Sequence, residues 1–298
     1  MSRVTLLGGT GFVGRHLAAR LVARGHGVQV LTRHRFRHTD MLVLPTLTLT
    51  QADVYDAGVL REAFSGCDAV INLVGILNER GHKGAGFREA HVTLTEGVTE
   101  ACRGAGVRRL LHMSALNADK QGPSHYLRTK GEAATAVLMA KQLDATVFEP
   151  SVIFGPGDSF LTRVAGLLKR LPVMPLAFPQ ARFAPVYVGD VAAAFTHCLE
   201  KREGIGRRYA LCGPRVYSLR ELVAYAGRLS GHRRPILGLP RPAAWLQAAL
   251  MEWLPGKPFS LDNYHSLMVD SVCAEDGFGE LGIKATPLEA VAPTYLKP

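Results

Sequence analysis

Apolar positions in the first half of the chain follow two periods in turn. RVTLLG (3–8), VQVLTR (28–33), TLTLTQADV (46–54), AVINLVG (69–75), RRLLHMS (108–114) and ATVFEP (145–150) are short apolar or alternating runs, the pattern of strands. Between them apolar residues fall three and four apart. RHLAARLVARGH (15–26) is the clearest case, with Leu17, Leu21 and Val22 at helical spacing and Gly25 as terminator. Further helices are predicted near 56–65, 85–104 and 124–142. Strand and helix in rotation predict an α/β fold, a doubly wound parallel sheet with helices on both faces, over residues 1–155.

After FGPGD (154–158) the rhythm loosens and prolines accumulate in LPVMPLAFP (171–179). A smaller mixed α/β domain is expected over 156–298, lying over the first and serving substrate or partner binding. VYVGDVAAAFTHCL (186–199) reads as a strand end followed by an amphipathic helix, so 183–200 is expected to return to the main sheet. In RPAAWLQAALMEWLPGKP (241–258), Trp245, Leu246, Ala249, Leu250 and Trp253 share one face of a short helix. That stripe fits core packing, docking on a membrane surface or partner, or the wall of a pocket for an apolar quinone or isoprenoid.

Composition narrows the class. Hydrophobic residues at 47% with charged residues at 20% describe a globular chain and exclude a disordered one. No apolar run approaches the ~20 residues that cross a bilayer, and no charged-then-apolar leader precedes the first strand. A cytoplasmic location follows as the expectation, at most peripheral to the inner face of the membrane. Cys67, Cys102, Cys198, Cys212 and Cys273 are scattered, odd in number and without a C-x-x-C pair, which argues against a disulfide framework or a metal site and for a reducing compartment. The net charge of +10 is uneven, with eight arginines between Arg207 and Arg241 against the single acid Glu221. Such a surface suits anionic partners or is simply solvated. No basic motif interleaved with aromatics points to nucleic acid.

GGTGFVG (8–14) sits between the first strand and the first helix. Gly8, Gly11 and Gly14 supply a turn with positive φ, close approach of a pyrophosphate to the backbone, and tight packing of helix on sheet. The helix start adds free N–H groups for phosphate. This is a dinucleotide signature, and the sheet is therefore of the Rossmann type. Gly8, Thr10, Gly11, Phe12, Val13 and Gly14 are assigned to the cofactor. At the end of the second strand LTRHRFRH has Arg33, Arg35 and Arg37 and no carboxylate before Asp40, which favours the 2′-phosphate of NADP(H), with NAD(H) as the alternative. Asp53 with Val54 is placed for the adenine, although Asp53 competes with Asp56 as a helix N-cap. Val74 and Gly75 end the fourth strand where a backbone approaches a ligand, and Pro150 ends the sixth.

Twelve residues after Ser114, Tyr126 and Lys130 stand at i and i+4 of a predicted helix, on one face. An ammonium beside a phenol lowers its pKa and makes it an acid or base near neutrality, and the Ser114 hydroxyl is suited to hold a carbonyl oxygen. Tyr126, Lys130 and Ser114 are the candidate catalytic residues, Lys130 also holding the cofactor.

Together, G-x-x-G-x-x-G at the first turn, the strand-five serine, Y-x-x-x-K and EPSVIFGPGD (149–158) resemble the short-chain dehydrogenase/reductase superfamily. FAPVYVGDVAAAF (183–195), PGKPFSLDN (255–263) and LGIKATPLEAVAPTYL (281–296) are similar to its atypical branch, which includes the NADPH-binding accessory subunit of respiratory complex I and its free-standing bacterial relatives. The resemblance implies NADP(H) across a Rossmann domain, Lys130 on the nicotinamide ribose and Tyr126 as proton donor or base. His91 stands where many extended members carry asparagine. Three functions follow as expectations: an NADP(H)-dependent oxidoreductase for a small carbonyl, quinone or similar substrate; a non-catalytic NADPH-loaded structural or assembly protein that meets a respiratory-chain protein or anionic membrane; or a nucleotide-sugar epimerase or dehydratase.

Overall fold

The computed structural model describes residues 1–297. Strands β1 (Arg3–Leu7), β2 (Gly27–Thr32), β3 (Leu47–Gln51), β4 (Ala69–Asn72), β5 (Arg109–Met113) and β6 (Asp144–Pro150) alternate with α1 (Phe12–Ala23), α2 (Ala57–Phe64), α3 (Ala85–Arg88), α4 (Leu94–Gly104) and α5 (His125–Met139). A π-helical turn, Glu89–Thr93, joins α3 to α4, so the single helix expected near 85–104 carries a bulge. Beyond β6 come β7 (Ile153–Phe154), α6 (Phe160–Arg170), β8 (Met174–Leu176), β9 (Arg182–Phe183), β10 (Val186–Tyr187), α7 (Val188–Lys201) and β11 (Arg207–Leu211). The chain ends through β12 (Tyr217–Ser218), α8 (Leu219–Leu229), β13 (Ile236–Gly238), α9 (Arg241–Met251), α10 (Leu261–Ser266), α11 (Gly277–Glu280) and α12 (Leu288–Tyr295).

The main sheet has the order β11-β6-β5-β4-β1-β2-β3, and all its pairings are parallel. Strand order reverses between β1 and β4, which opens a crevice at their C-terminal ends. Apolar residues face both ways because helices cover both sides. Leu6, Val30, Ile71 and Leu111 pack under α1 and α7, while Leu7, Val70, Leu110 and Val147 pack under α2, α4 and α5. Local signals set the helix starts. The Asp56 carboxylate accepts from the N–H groups of Gly58 and Val59 to cap α2, and the Ser124 hydroxyl accepts from Leu127 N–H to cap α5. Asp53 accepts only from Tyr55 N–H, so Asp56 is the cap.

The C-terminal half differs from expectation in three places. Of the segment expected to return to the main sheet, α7 packs on it beside α1, whereas β10 pairs with β7 in a small sheet; β11 is the seventh main strand. On α9 it is Ala244 and Ala248 that are buried, while Trp245, Leu246 and Leu250, with Trp253 just beyond the helix, face outward, because the small side chains let the helix sit close and the large ones are on its far side. Cys212 and Cys273 form a disulfide, which corrects the expectation that argued against a disulfide framework. They are 61 residues apart, and only the path of β11 and of the segment after α10 brings their Cα atoms to 5.9 Å, a spacing that bridges readily. Cys67, Cys102 and Cys198 are free.

The arginines of 207–241 are partly neutralised by distant acids. Arg207, Arg208 and Arg215 pair with Glu280, Glu149 and Glu289, and Arg220 and Arg234 donate to the carbonyls of Ile236 and Leu168. No helix among the described residues is long and apolar enough to cross a membrane.

Candidate functional site

The glycine turn is built as a cradle. Gly8 has φ +75°, and Gly11 N–H donates to Gly8 O at 3.0 Å to close the turn. A Cβ on Gly14 would lie 2.3 Å from Gly8 O, and one on Gly8 3.0 Å from the carbonyl carbon of Leu73. Both positions exclude any side chain. Gly9, which the motif spacing passed over, is also crowded, since a Cβ there would meet the Val30 methyls at 2.8 Å. Helix α1 has Gly11 as its N-cap, with no side-chain cap and no acidic residue in its first turn. Its first N–H groups and positive dipole end are therefore open to an anion. The pyrophosphate of a dinucleotide fits this donor set, and nothing in the turn repels it.

A cleft of about 670 Å³ runs from this turn into the C-terminal half of the chain. Gly8, Gly11, Phe12, Val13, Gly14, Gly75, Ser114, Tyr126, Lys130 and Pro150 all line it. Five other sequence candidates do not. Thr10, whose carbonyl accepts from Arg15, flanks the turn; Val74 offers its carbonyl to Lys130; and Arg33, Asp53 and Val54 follow β2 and β3, farther along the sheet edge. Arg33 is exposed and has no hydrogen-bond or ion-pair partner among the described residues. Asp40, the first carboxylate after β2, is bound by Arg15 of α1.

Lys130 is buried, and its Nζ donates to Met113 O at 3.0 Å and Val74 O at 3.4 Å. Burial lowers its pKa to about 8. It stands directly against Gly75, where a Cβ would come within 2.8 Å of Nζ. Ser114 donates from Oγ to Lys130 O at 3.3 Å. Tyr126 behaves otherwise than its spacing from Lys130 suggests. Burial and then the charge of Asp262 push its phenol up to about 12, so the group is a proton donor at neutral pH. The lysine is held by two backbone carbonyls, and it is the Asp262 carboxylate that lies close, accepting from the N–H groups of His125 (2.6 Å) and Tyr126 (3.2 Å) at the start of α5.

Two buried histidines complete the neighbourhood. His91, in the π-turn, packs edge-on to the Tyr126 ring at 5.6 Å between centroids. Its Nε2 accepts from Ile76 N–H at 3.1 Å, so Nδ1 carries the proton and donates to Thr129 Oγ1, which in turn donates to His125 O. Burial first, then Lys130 and His112, lower its pKa to about 2, and the ring is neutral. His112 on β5 is wholly enclosed, lowered to about 3 by burial and by Lys130, with neither ring nitrogen bonded. Sequence reasoning singled out His91 only by its position and missed His112 and Asp262. His112 lay in the HMSA strand end beside Ser114, whereas Asp262, 136 residues from Tyr126, left no local trace.

The profile of a family described as NAD(P)H-binding matches residues 8–159. NADH dehydrogenase [ubiquinone] 1 alpha subcomplex subunit 9 of Rattus norvegicus mitochondria is 30% identical over 301 residues, covering 96% of this chain and 77% of its own. Ceramide reductase of Caulobacter vibrioides is 29% identical over 252 residues, covering 84% and 77%. Among solved structures, MoeE5 in complex with UDP-glucose and NAD has a TM-score of 0.76 at 19% identity, covering 99% of this chain and 97% of its own.

Proposed function

The chain belongs to the NAD(P)H-binding family, and from that premise we propose that it is an NADP(H)-dependent oxidoreductase reducing a carbonyl compound. One observation carries the reading: the glycine turn and the Ser114, Tyr126 and Lys130 side chains open into the same cleft. Gly8 to Gly14 and the start of α1 would hold the pyrophosphate, Lys130 the ribose next to the nicotinamide, and Asp53 and Val54 the adenine end. Arg33 supports NADP(H), being free to meet a 2′-phosphate, while Asp40, the first carboxylate after β2, is engaged by Arg15. The cofactor, when bound, supplies hydride.

The chain's own residues supply orientation and a proton. Ser114 Oγ, released from Lys130 O, donates to the substrate carbonyl oxygen. Tyr126 then gives its phenolic proton to that oxygen as negative charge develops there. A phenol held up to about 12 suits donation, so the reducing direction is favoured at neutral pH. Lys130, cationic below about pH 8 and held by the Met113 and Val74 carbonyls, is left for the ribose.

The test is Tyr126→Phe assayed with NADPH against short aldehydes and ketones. Turnover should fall by about a hundredfold or more, the usual share of a general acid, with the NADPH dissociation constant unchanged. Equal turnover in the variant refutes the assignment. A second reading, a cofactor-loaded component of a respiratory assembly, is favoured by the likeness to the complex I subunit along 96% of the chain. It requires Tyr126→Phe to be silent and bound NADPH to resist exchange over hours.

A further inference from the structure

The cleft continues past Ser114 and Tyr126, and there its chemistry changes. Its walls become hydrocarbon, with Val164 and Leu167 on α6, Leu176 on β8, Val223 on α8, Met251 at the end of α9 and Leu267 after α10. Apart from Ser159 at the start of α6 and Arg163, the polar side chains of this stretch are already engaged. Gln247 donates to Pro175 O, Asn263 donates to Leu77 O and caps α10 with Ser260, Ser266 donates to Ser124 Oγ, and the Ser271 hydroxyl meets that of Ser151. Arg163 on α6 has no hydrogen-bond or ion-pair partner among the described residues, and it is exposed.

A ligand entering this gallery thus finds apolar surface and almost no donor or acceptor. A sugar would lose its water against these walls without replacement, which is strongly unfavourable. A methylene chain would gain with each carbon buried. The fold neighbour that holds UDP-glucose shares the backbone of the sheet, but the wall here lacks the partners that sugar hydroxyls require.

We propose that the gallery receives the aliphatic tail of the substrate, which is a long-chain carbonyl compound presenting its C=O to Tyr126 and Ser114. The proposal rests on the carbonyl-reductase reading for the head of the substrate, whereas the tail site stands on the lining alone. In the reaction the carbonyl carbon gains hydride from NADPH and the oxygen gains the Tyr126 proton, giving a secondary alcohol from a ketone and NADP⁺.

The experiment uses the full chain and a series of unbranched 2-alkanones from six to twelve carbons, each below its solubility limit. Binding is read by calorimetry in the presence of NADP⁺, and turnover with NADPH separately. Affinity should rise about fourfold for each added methylene, and UDP-glucose should give no heat. Met251→Glu, at the half-buried end of α9, should flatten the dependence on length while leaving NADPH affinity as it was. Affinity independent of length, or saturable UDP-glucose binding, overturns the tail site. The two readings fail separately. Length-dependent binding without turnover of any ketone refutes the reductase and keeps the gallery, while turnover of short and long ketones alike refutes the gallery and keeps the reductase.

Discussion

Replacing Lys130 with methionine should make the protein more stable at neutral pH while removing its activity. The ammonium is 3% exposed, and burial lowers its pKa from 10.5 to about 8. A shift of that size corresponds to about 3 kcal/mol of disfavoured charge in the folded state. Against this, Lys130→Met strips the carbonyls of Met113 and Val74 of their donor, at about 1 kcal/mol each. The net is a gain of about 1 kcal/mol at pH 7. The pH dependence fixes the sign. Below about pH 8 the lysine is charged in both folded and unfolded chains and the full penalty applies. Between about 8 and 10.5 the unfolded chain binds more protons, so wild-type stability rises with pH through that window while the variant, lacking the group, does not follow. The two stabilities should therefore cross between about pH 8 and pH 9. Urea unfolding of both proteins without cofactor, at pH 7 to 10, reads the difference. Groups common to both cancel. A constant offset across that range, or a variant less stable at pH 7 by more than about 1 kcal/mol, would refute the reasoning.

Three further outcomes are expected. Arg33→Asp should weaken NADPH binding by about tenfold or more, the loss of one charge-assisted contact, and improve NADH binding; fluorescence titration with both cofactors decides it, and parallel changes would remove Arg33 from the 2′-phosphate. Asp262→Asn should let the Tyr126 pKa fall from about 12, because a carboxylate charge leaves its vicinity, and the high-pH limb of the rate profile should move down with it. Reducing the Cys212–Cys273 bond should cost up to about 4 kcal/mol, from the closure entropy of a 61-residue loop; unfolding with and without reductant, with Cys273→Ser as control, measures it.

Much of the nucleotide half was legible because its signals are local. A glycine turn between strand and helix, an N-cap at Asp56, and a tyrosine four residues before a lysine are read within a few residues of chain. What escaped depends on distance or on small side chains. β11 was hidden because RRYAL begins with two exposed arginines, the polar guise of an edge strand. The packing face of α9 is written in Ala244 and Ala248, whose signal is weaker than that of the tryptophans pointing outward. The pairing of Cys212 with Cys273 and the approach of Asp262 to α5 are consequences of tertiary path alone. The Tyr126 pKa went the other way for the same reason: the sequence offered a neighbouring cation, and the fold gave that cation to two carbonyls and brought up an anion.

Helix α7 lies beside α1, and Arg24 at the end of α1 holds Glu200 near the end of α7 through two hydrogen bonds of 2.7 and 2.9 Å across 176 residues. During synthesis the side of the sheet beneath α1 accordingly waits for that partner. At ordinary elongation rates the delay is roughly 10 to 35 s, during which Val191 and Phe195 of α7 are not yet present to cover it. Six strands of the sheet must stand ready while one greasy flank faces solvent or a chaperone. The span of this contact, and not the speed of any local element, sets when α7 can first cover that flank.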